Sequence, residues 1–156
     1  MQYKHYNKVK VPRYVVGRNK YKGKEIGPLI DLVNRSLPIF HSLVQFSDQL
    51  TVALKPMHRT LLGVYDPNID TVEAEYRHLD PFTLLSTVAH ELVHAEQYYQ
   101  KRFDSEWTGS GYLYRWNNTY YSIVEKNYNK YLPPWEEEAF ERQEGLALIA
   151  CAELGV

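Results

Sequence analysis

DPFTLLSTVAHELVHAEQYYQKRF, residues 80–103, decides the reading of this chain. Asp80 is a capping residue and Pro81 suits the first helical position, so the stretch predicts a helix from Pro81 to about Phe103. Within it His90 and His94 stand four apart. At roughly 100° per residue their side chains lie about 40° apart on one face. That is close enough for one tetrahedral zinc to take a nitrogen from each. Glu91 projects about 100° further round, beside such a metal rather than on it, where it can take a proton from water. His-Glu-x-x-His is a short pattern, but a long, well-capped helix is the context its chemistry requires. Leu84, Val88, Leu92, Ala95 and Tyr99 form an apolar arc roughly opposite the histidines, with Thr83, Thr87 and Gln97 flanking them. One face is expected to anchor to a core and the other to face a polar cleft.

A catalytic zinc needs a third protein ligand and an open fourth position. The chain has one cysteine, Cys151, which excludes intramolecular disulfides and any site built on several thiolates. The third ligand is then a histidine or a carboxylate. Downstream, Pro133-Pro134 opens a last helix from Trp135 to about Leu154, and its start carries Glu136, Glu137 and Glu138. Glu136 shares a face with Ala139, Phe140, Gln143 and Ala147, a small and largely apolar strip suited to pressing against another helix. Glu137 and Glu138 share theirs with Glu141, Arg142 and Glu144 and read as solvent-facing acids that complement the helix dipole. Glu136 is the inward carboxylate on this reading, with Glu138 as the alternative ligand.

Working outward from these two helices, Gly27-Pro28 opens a helical pattern with Leu29, Val33 and Leu37 at spacing four, which Pro38 is expected to kink or break. Leu50 to Leu54 and Thr60 to Tyr65 read as strands. Asp66-Pro67-Asn68 is a turn signal and Thr71 to Tyr76 a returning strand, so a hairpin spans roughly 60–76. Residues 104–132, rich in Gly, Asn, Tyr and Trp, are expected to hold loops and a short helix near 118–130. The fold class expected is α+β: a small antiparallel or mixed sheet packed against the long histidine-bearing helix and a C-terminal ligand helix.

Composition bounds the rest. With 156 residues, 44% hydrophobic and 24% charged, the chain is a single soluble domain by expectation, able to bury a core unaided. No window approaches the run of about 18 apolar residues that a membrane span needs. The first residues, MQYKHYNKVKVPRY, contain no apolar segment of a secretory leader, and a cytoplasmic location is expected. Eight of the 18 basic residues precede the first acid, Glu25, leaving ten basic against 19 acidic residues in the remainder, about −9. Residues 1–24 thus form a basic arm or edge strand, followed by an acidic body at 25–156. Lys and Arg interleaved with Tyr suit a nucleic-acid contact, but a solvated or protein-docking arm is favoured.

The glutamate cluster before Ala139, taken with His90 to His94, resembles the gluzincin-type metallopeptidases, especially the small SprT-like metallopeptidases of bacteria and phages. In that family a Glu-x-x-Ala motif on a following helix supplies the third zinc ligand, which implies Glu136 here. The wording Pro-Trp-Glu-x-Glu-Ala matches Pro134 to Ala139. The resemblance covers roughly residues 80–145. It implies a zincin-like domain binding Zn²⁺ through His90, His94 and Glu136, with Glu91 as general base and a peptide or protein as substrate. Relatives place an edge strand above the active-site helix for substrate backbone to pair with, a part the 60–76 hairpin would take. The chain departs from the family in lacking a cysteine-built zinc ribbon and in carrying Phe140 where some relatives have Asp. No third histidine follows His94 at metzincin spacing.

An oxyanion donor is also needed, and Tyr112, Tyr114, Arg115, Tyr120, Tyr121, Tyr128 and Tyr131 are all open candidates. Two further readings keep the metal site but change its use: a zinc-bearing binding module that has lost catalysis, and a nucleic-acid-associated protease localised by residues 1–24. His5, His41, His58 and His78 have no ligand spacing and read as structural or surface residues. Cys151 reads as a small buried apolar side chain.

Overall fold

The computed structural model describes residues 15–17, 20–21, 24–58, 60–77, 79–123 and 132–156, with backbone alone for the strand residues within 15–25 and for 122–123. The architecture is α+β. Strands β1 (Val15–Gly17), β2 (Lys20–Tyr21) and β3 (Lys24–Glu25) precede helix α1 (Gly27–His41). Then come β4 (Thr51–Leu54), β5 (Gly63–Asp66), β6 (Thr71–Ala74) and α2 (Pro81–Tyr99). Strands β7 (Phe103–Trp107), β8 (Tyr112–Trp116) and β9 (Thr119–Ile123) lead to the last helix, α3 (Pro134–Leu154).

A four-stranded mixed sheet has the order β1-β4-β6-β5, with β1 and β6 parallel to β4 and β5 antiparallel to β6. In β4 and β6 alternate residues turn inward, so Val52, Leu54, Val72 and Ala74 are buried. The β5–β6 hairpin fills the inner part of the expected 60–76 span. Its turn is closed by Asp66, whose Oδ1 accepts from the Asn68 N–H at 2.9 Å. Of the basic segment, residues 15–17 form the sheet-edge strand β1; residues 1–14, 18–19 and 22–23, with most of the arm, lie outside the described residues.

Helix α2 starts as its sequence dictates: the Asp80 carboxylate accepts from the Thr83 N–H at 2.8 Å and Pro81 follows. It lies between the sheet and the two other described helices, touching β5, β6, α1 and α3. Every residue from Leu84 to Val93 is therefore buried. Of the expected apolar arc, Leu84, Val88, Leu92 and Ala95 are buried, but two assignments are corrected: Gln97 is fully buried, and Tyr99, assigned to the arc, is 59% exposed. The helix end also falls earlier than expected, at Tyr99, because Lys101 takes a left-handed φ of 57° and Phe103 enters β7. Small side chains let α3 approach α2 closely: Ala139, Ala147 and Ala150 are all fully buried.

Two further expectations are corrected. Helix α1 runs through Pro38 to His41, so of the kink or break expected there the break does not occur. Proline so near a helix end sacrifices a single backbone bond while the apolar face, Leu37 and Phe40 included, stays in the core. Residues 103–123, expected as loops and part of a short helix, form a three-stranded antiparallel meander, β7-β8-β9. Asn117 and Asn118, at φ 46° and 67°, make the two-residue turn that joins Trp116 to Thr119. Residues 124–131, and with them the rest of the expected helix, lie outside the described residues. Cys151 is half-buried against the core rather than fully within it.

No described helix is long and apolar enough to cross a membrane.

Candidate metal centre

The meander fixes the start of α3. Trp135 is 1% exposed and sits among Phe103 at 4.8 Å between ring centroids, Tyr114 at 5.0 Å and Tyr121 at 5.8 Å. This aromatic cluster anchors the residue immediately before Glu136, so the carboxylate is delivered to a set place beside α2.

There it meets both histidines. Glu136 Oε1 lies 2.6 Å from His94 Nε2, and Glu136 Oε2 lies 3.4 Å from His90 Nε2. The imidazole centroids are 4.9 Å apart and nearly perpendicular. One ligand atom from each of His90, His94 and Glu136 can be chosen so that all lie within 4.8 Å of one another. The face assignment of Glu136 thus agrees with its position. Glu138, the alternative ligand, turns away: its carboxylate receives both Arg102 guanidinium nitrogens at 2.9 Å. It is half-buried rather than solvent-facing, because β7 and the end of α2 bring Arg102 over it.

The outer nitrogens of the imidazoles are also engaged. His90 Nδ1 is 2.8 Å from Gln143 Oε1, and His94 Nδ1 is 2.9 Å from Gln97 Oε1. The Gln97 amide has only one workable orientation. Its Nε2 faces two acceptors, the Trp135 carbonyl at 2.9 Å and Glu138 Oε1 at 3.1 Å, so its oxygen must face the ring. His94 then donates from Nδ1, and its Nε2 points at Glu136. A carboxamide oxygen behind an imidazole is the arrangement that orients a metal-binding histidine. Two nitrogens and a carboxylate oxygen directed at one region suit a divalent cation of borderline softness.

In the metal-free protein these groups hold one another by charge. Burial pushes Glu136 up, but hydrogen bonds from His90 and His94 outweigh it and bring the carboxyl down to about 2. Burial pushes His94 down, yet its bond to Glu136 and the nearby charges of Glu91 and Glu136 lift it to about 9. Glu91 is buried, and burial raises its carboxyl above the usual range against the opposing pull of the two histidines and the Tyr65 backbone N–H. A carboxylate raised in this direction is a better proton acceptor than an ordinary one.

Strand β5 reaches Glu91 because of its register. The Glu75 N–H donates to the Leu62 carbonyl at 2.7 Å, and Gly63 pairs with Ala74. Gly63 and Tyr65 therefore hold the positions whose N–H and C=O point away from β6, toward the open edge. Gly63 also lets α2 come close: a Cβ there would lie 3.0 Å from both Glu91 Cγ and Thr87 Cγ2.

The three ligand candidates and Glu91 line one cleft of about 520 Å³ between β5 and α3. Of the proposed oxyanion donors, Tyr114 lines this cleft. Tyr112 and Tyr120 are exposed, Tyr121 packs on Trp135, and Arg115 borders a separate hollow of about 130 Å³. Tyr128 and Tyr131 lie outside the described residues, as do His5 and His78. His41 bonds the Phe46 carbonyl and His58 is exposed; neither approaches the cleft lining. The sequence reading left the partners behind the imidazoles unidentified, although spacing held a signal: Gln97 is one turn beyond His94, and Gln143 two turns beyond Glu136.

No protein-family model, curated protein or solved structure matches this chain.

Proposed function

We propose that the protein is a zincin-like, SprT-like zinc metallopeptidase, in which His90, His94 and Glu136 hold Zn²⁺ and Glu91 is the general base. The observation that carries this reading is the convergence of two imidazoles one turn apart and a carboxylate from a distant helix, with a buried, raised carboxyl beside them. When bound, zinc supplies a Lewis acid that polarises a carbonyl and acidifies water. Glu136 and the two Nε2 atoms form three sides of the site, and the cleft gives access to the fourth. Glu91 accepts the proton of the attacking water and delivers it to the leaving amine. The outward-facing backbone of Gly63, at the edge of the sheet among the described strands, offers its N–H and C=O for an extended peptide to pair with.

Zinc content and turnover test the two halves separately. One zinc per chain is expected for the wild type, lost in His90→Ala. Turnover of a denatured-protein mixture is expected to fall by about 10²- to 10⁴-fold in Glu91→Gln while zinc is retained. Equal turnover in Glu91→Gln, or one bound zinc without turnover in the wild type, defeats the catalytic assignment.

A further inference from the structure

The cleft is much larger than a cation and a water require, at about 520 Å³, a size that suits a small-molecule or side-chain occupant. Its wall beside the triad is aromatic. Tyr98, Phe103, Tyr114, Trp135 and Phe140 all line it, the Phe140 ring lying 4.6 Å from that of His90. Within that wall the Tyr98 hydroxyl is committed to Ser105 Oγ, with which it shares a hydrogen bond at 3.2 Å. Among the described residues no lysine or arginine lines the cleft, and the only carboxylates that line it are Glu91 and Glu136. A charged side chain of either sign would give up its hydration against this largely aromatic wall, whereas an uncharged one would not. At the mouth Phe140, Leu61 and Leu62 remain 51%, 46% and 43% exposed, apolar area that an occupant of like character would cover.

We infer that the cleft selects polypeptide substrates carrying a bulky, uncharged apolar side chain, aromatic or leucine-like, seated against Tyr114 and Phe140 beside the metal triad. This rests on the peptidase reading and names its substrate class. Folded proteins bury such side chains, so the natural substrates are unfolded chains or extended segments.

The test uses a set of otherwise identical labelled peptides with Phe, Leu, Ala, Asp or Lys at one central position. Binding is measured to zinc-loaded Glu91→Gln, and turnover by the zinc-loaded wild type is measured on the same set. Phe and Leu peptides are expected to bind at least about tenfold more tightly than Asp or Lys peptides. Phe140→Ala, at an exposed position, and Tyr114→Ala are expected to shrink that ratio to below about threefold. Equal binding across the set, a preference for Asp or Lys, binding of no peptide, or a ratio unchanged in Phe140→Ala overturns the inference. Apolar preference in binding without wild-type turnover removes the peptidase reading and leaves the apolar subsite standing. Turnover without apolar preference does the reverse.

Discussion

His94 is held from both sides, by Glu136 at Nε2 and by Gln97 at Nδ1. Gln97 is in turn locked by Trp135 and Glu138, so Gln97→Leu removes the partner that orients the ring. Zinc affinity is expected to fall by about 10- to 100-fold, read by competition with a chelator of known affinity. An unchanged affinity in a folded variant would show that the carboxamide does not position the ligand. Protons compete with metal at the same nitrogen. The metal-free His94 is raised from 6.5 to about 9, so the His94–Glu136 pair stabilises the metal-free fold fully below pH 6.5 and loses that contribution as pH rises through about 9. Zinc must displace that proton. Apparent zinc affinity is therefore expected to rise by roughly tenfold per pH unit between about pH 6.5 and 9, with close to one proton released per ion. A flat profile over that window would contradict the pairing.

Strand β5 and helix α2 work as a pair at the next scale. The strand can lie over Glu91 only because residue 63 has no side chain. Gly63→Ala would press on Glu91, Thr87 and the Glu73 carbonyl, and is expected to cost about 1–3 kcal/mol in denaturant titration. Because it moves the base rather than the ligands, zinc content should stay at wild-type level while turnover drops. A loss of zinc with turnover per bound zinc unchanged would contradict that separation. The helices themselves were legible from caps and prolines: Asp80-Pro81 and Pro133-Pro134 start them where the structure does. The meander was not. Phe-Asp-Ser-Glu-Trp and Thr-Tyr-Tyr-Ser-Ile carry no clean alternation of apolar and polar residues, so their identity as strands depends on cross-strand partners and on the Asn117-Asn118 turn rather than on a strong local period.

Across the whole molecule, two buried clusters hold the site together. Trp135 joins the meander to α3, and Trp135→Ala is expected to cost about 3–5 kcal/mol, seen as a lowered unfolding midpoint, and to weaken zinc binding through Gln97 and Glu136. Glu96, buried on α2, receives the Gln45 N–H and Arg142, each at 2.6 Å, and so ties the segment after α1 to α2 and α3. Just past β6 Glu75 plays a similar part. Burial pushes its carboxyl up, but Arg77 and the backbone N–H groups of Arg77, Tyr76 and Met57 outweigh that and hold it below the usual carboxylate range. A depressed pKa gives stability that is present above the unfolded value of about 4.5 and lost as pH falls through the folded one. Glu75→Gln is expected to flatten the fall in stability of the metal-free protein below about pH 4.5. A slope identical to wild type would mean that other carboxylates carry the acid sensitivity.

Sequence alone determined what repeats at helical spacing: His90 with His94 on one face, Glu91 beside them, and Glu136 on the packed side of the last helix. Those relations are local, set by 3.6 residues per turn and by residues that start helices. Tertiary structure decided that the two helices meet with Glu136 between the imidazoles, that Gln97 and Gln143 stand behind the rings, and that Gly63 admits β5 over the buried base. These are distances between segments up to 53 residues apart, fixed by side-chain volume and by the pairing of buried polar groups. A linear pattern carries no record of either until the chain has closed on itself.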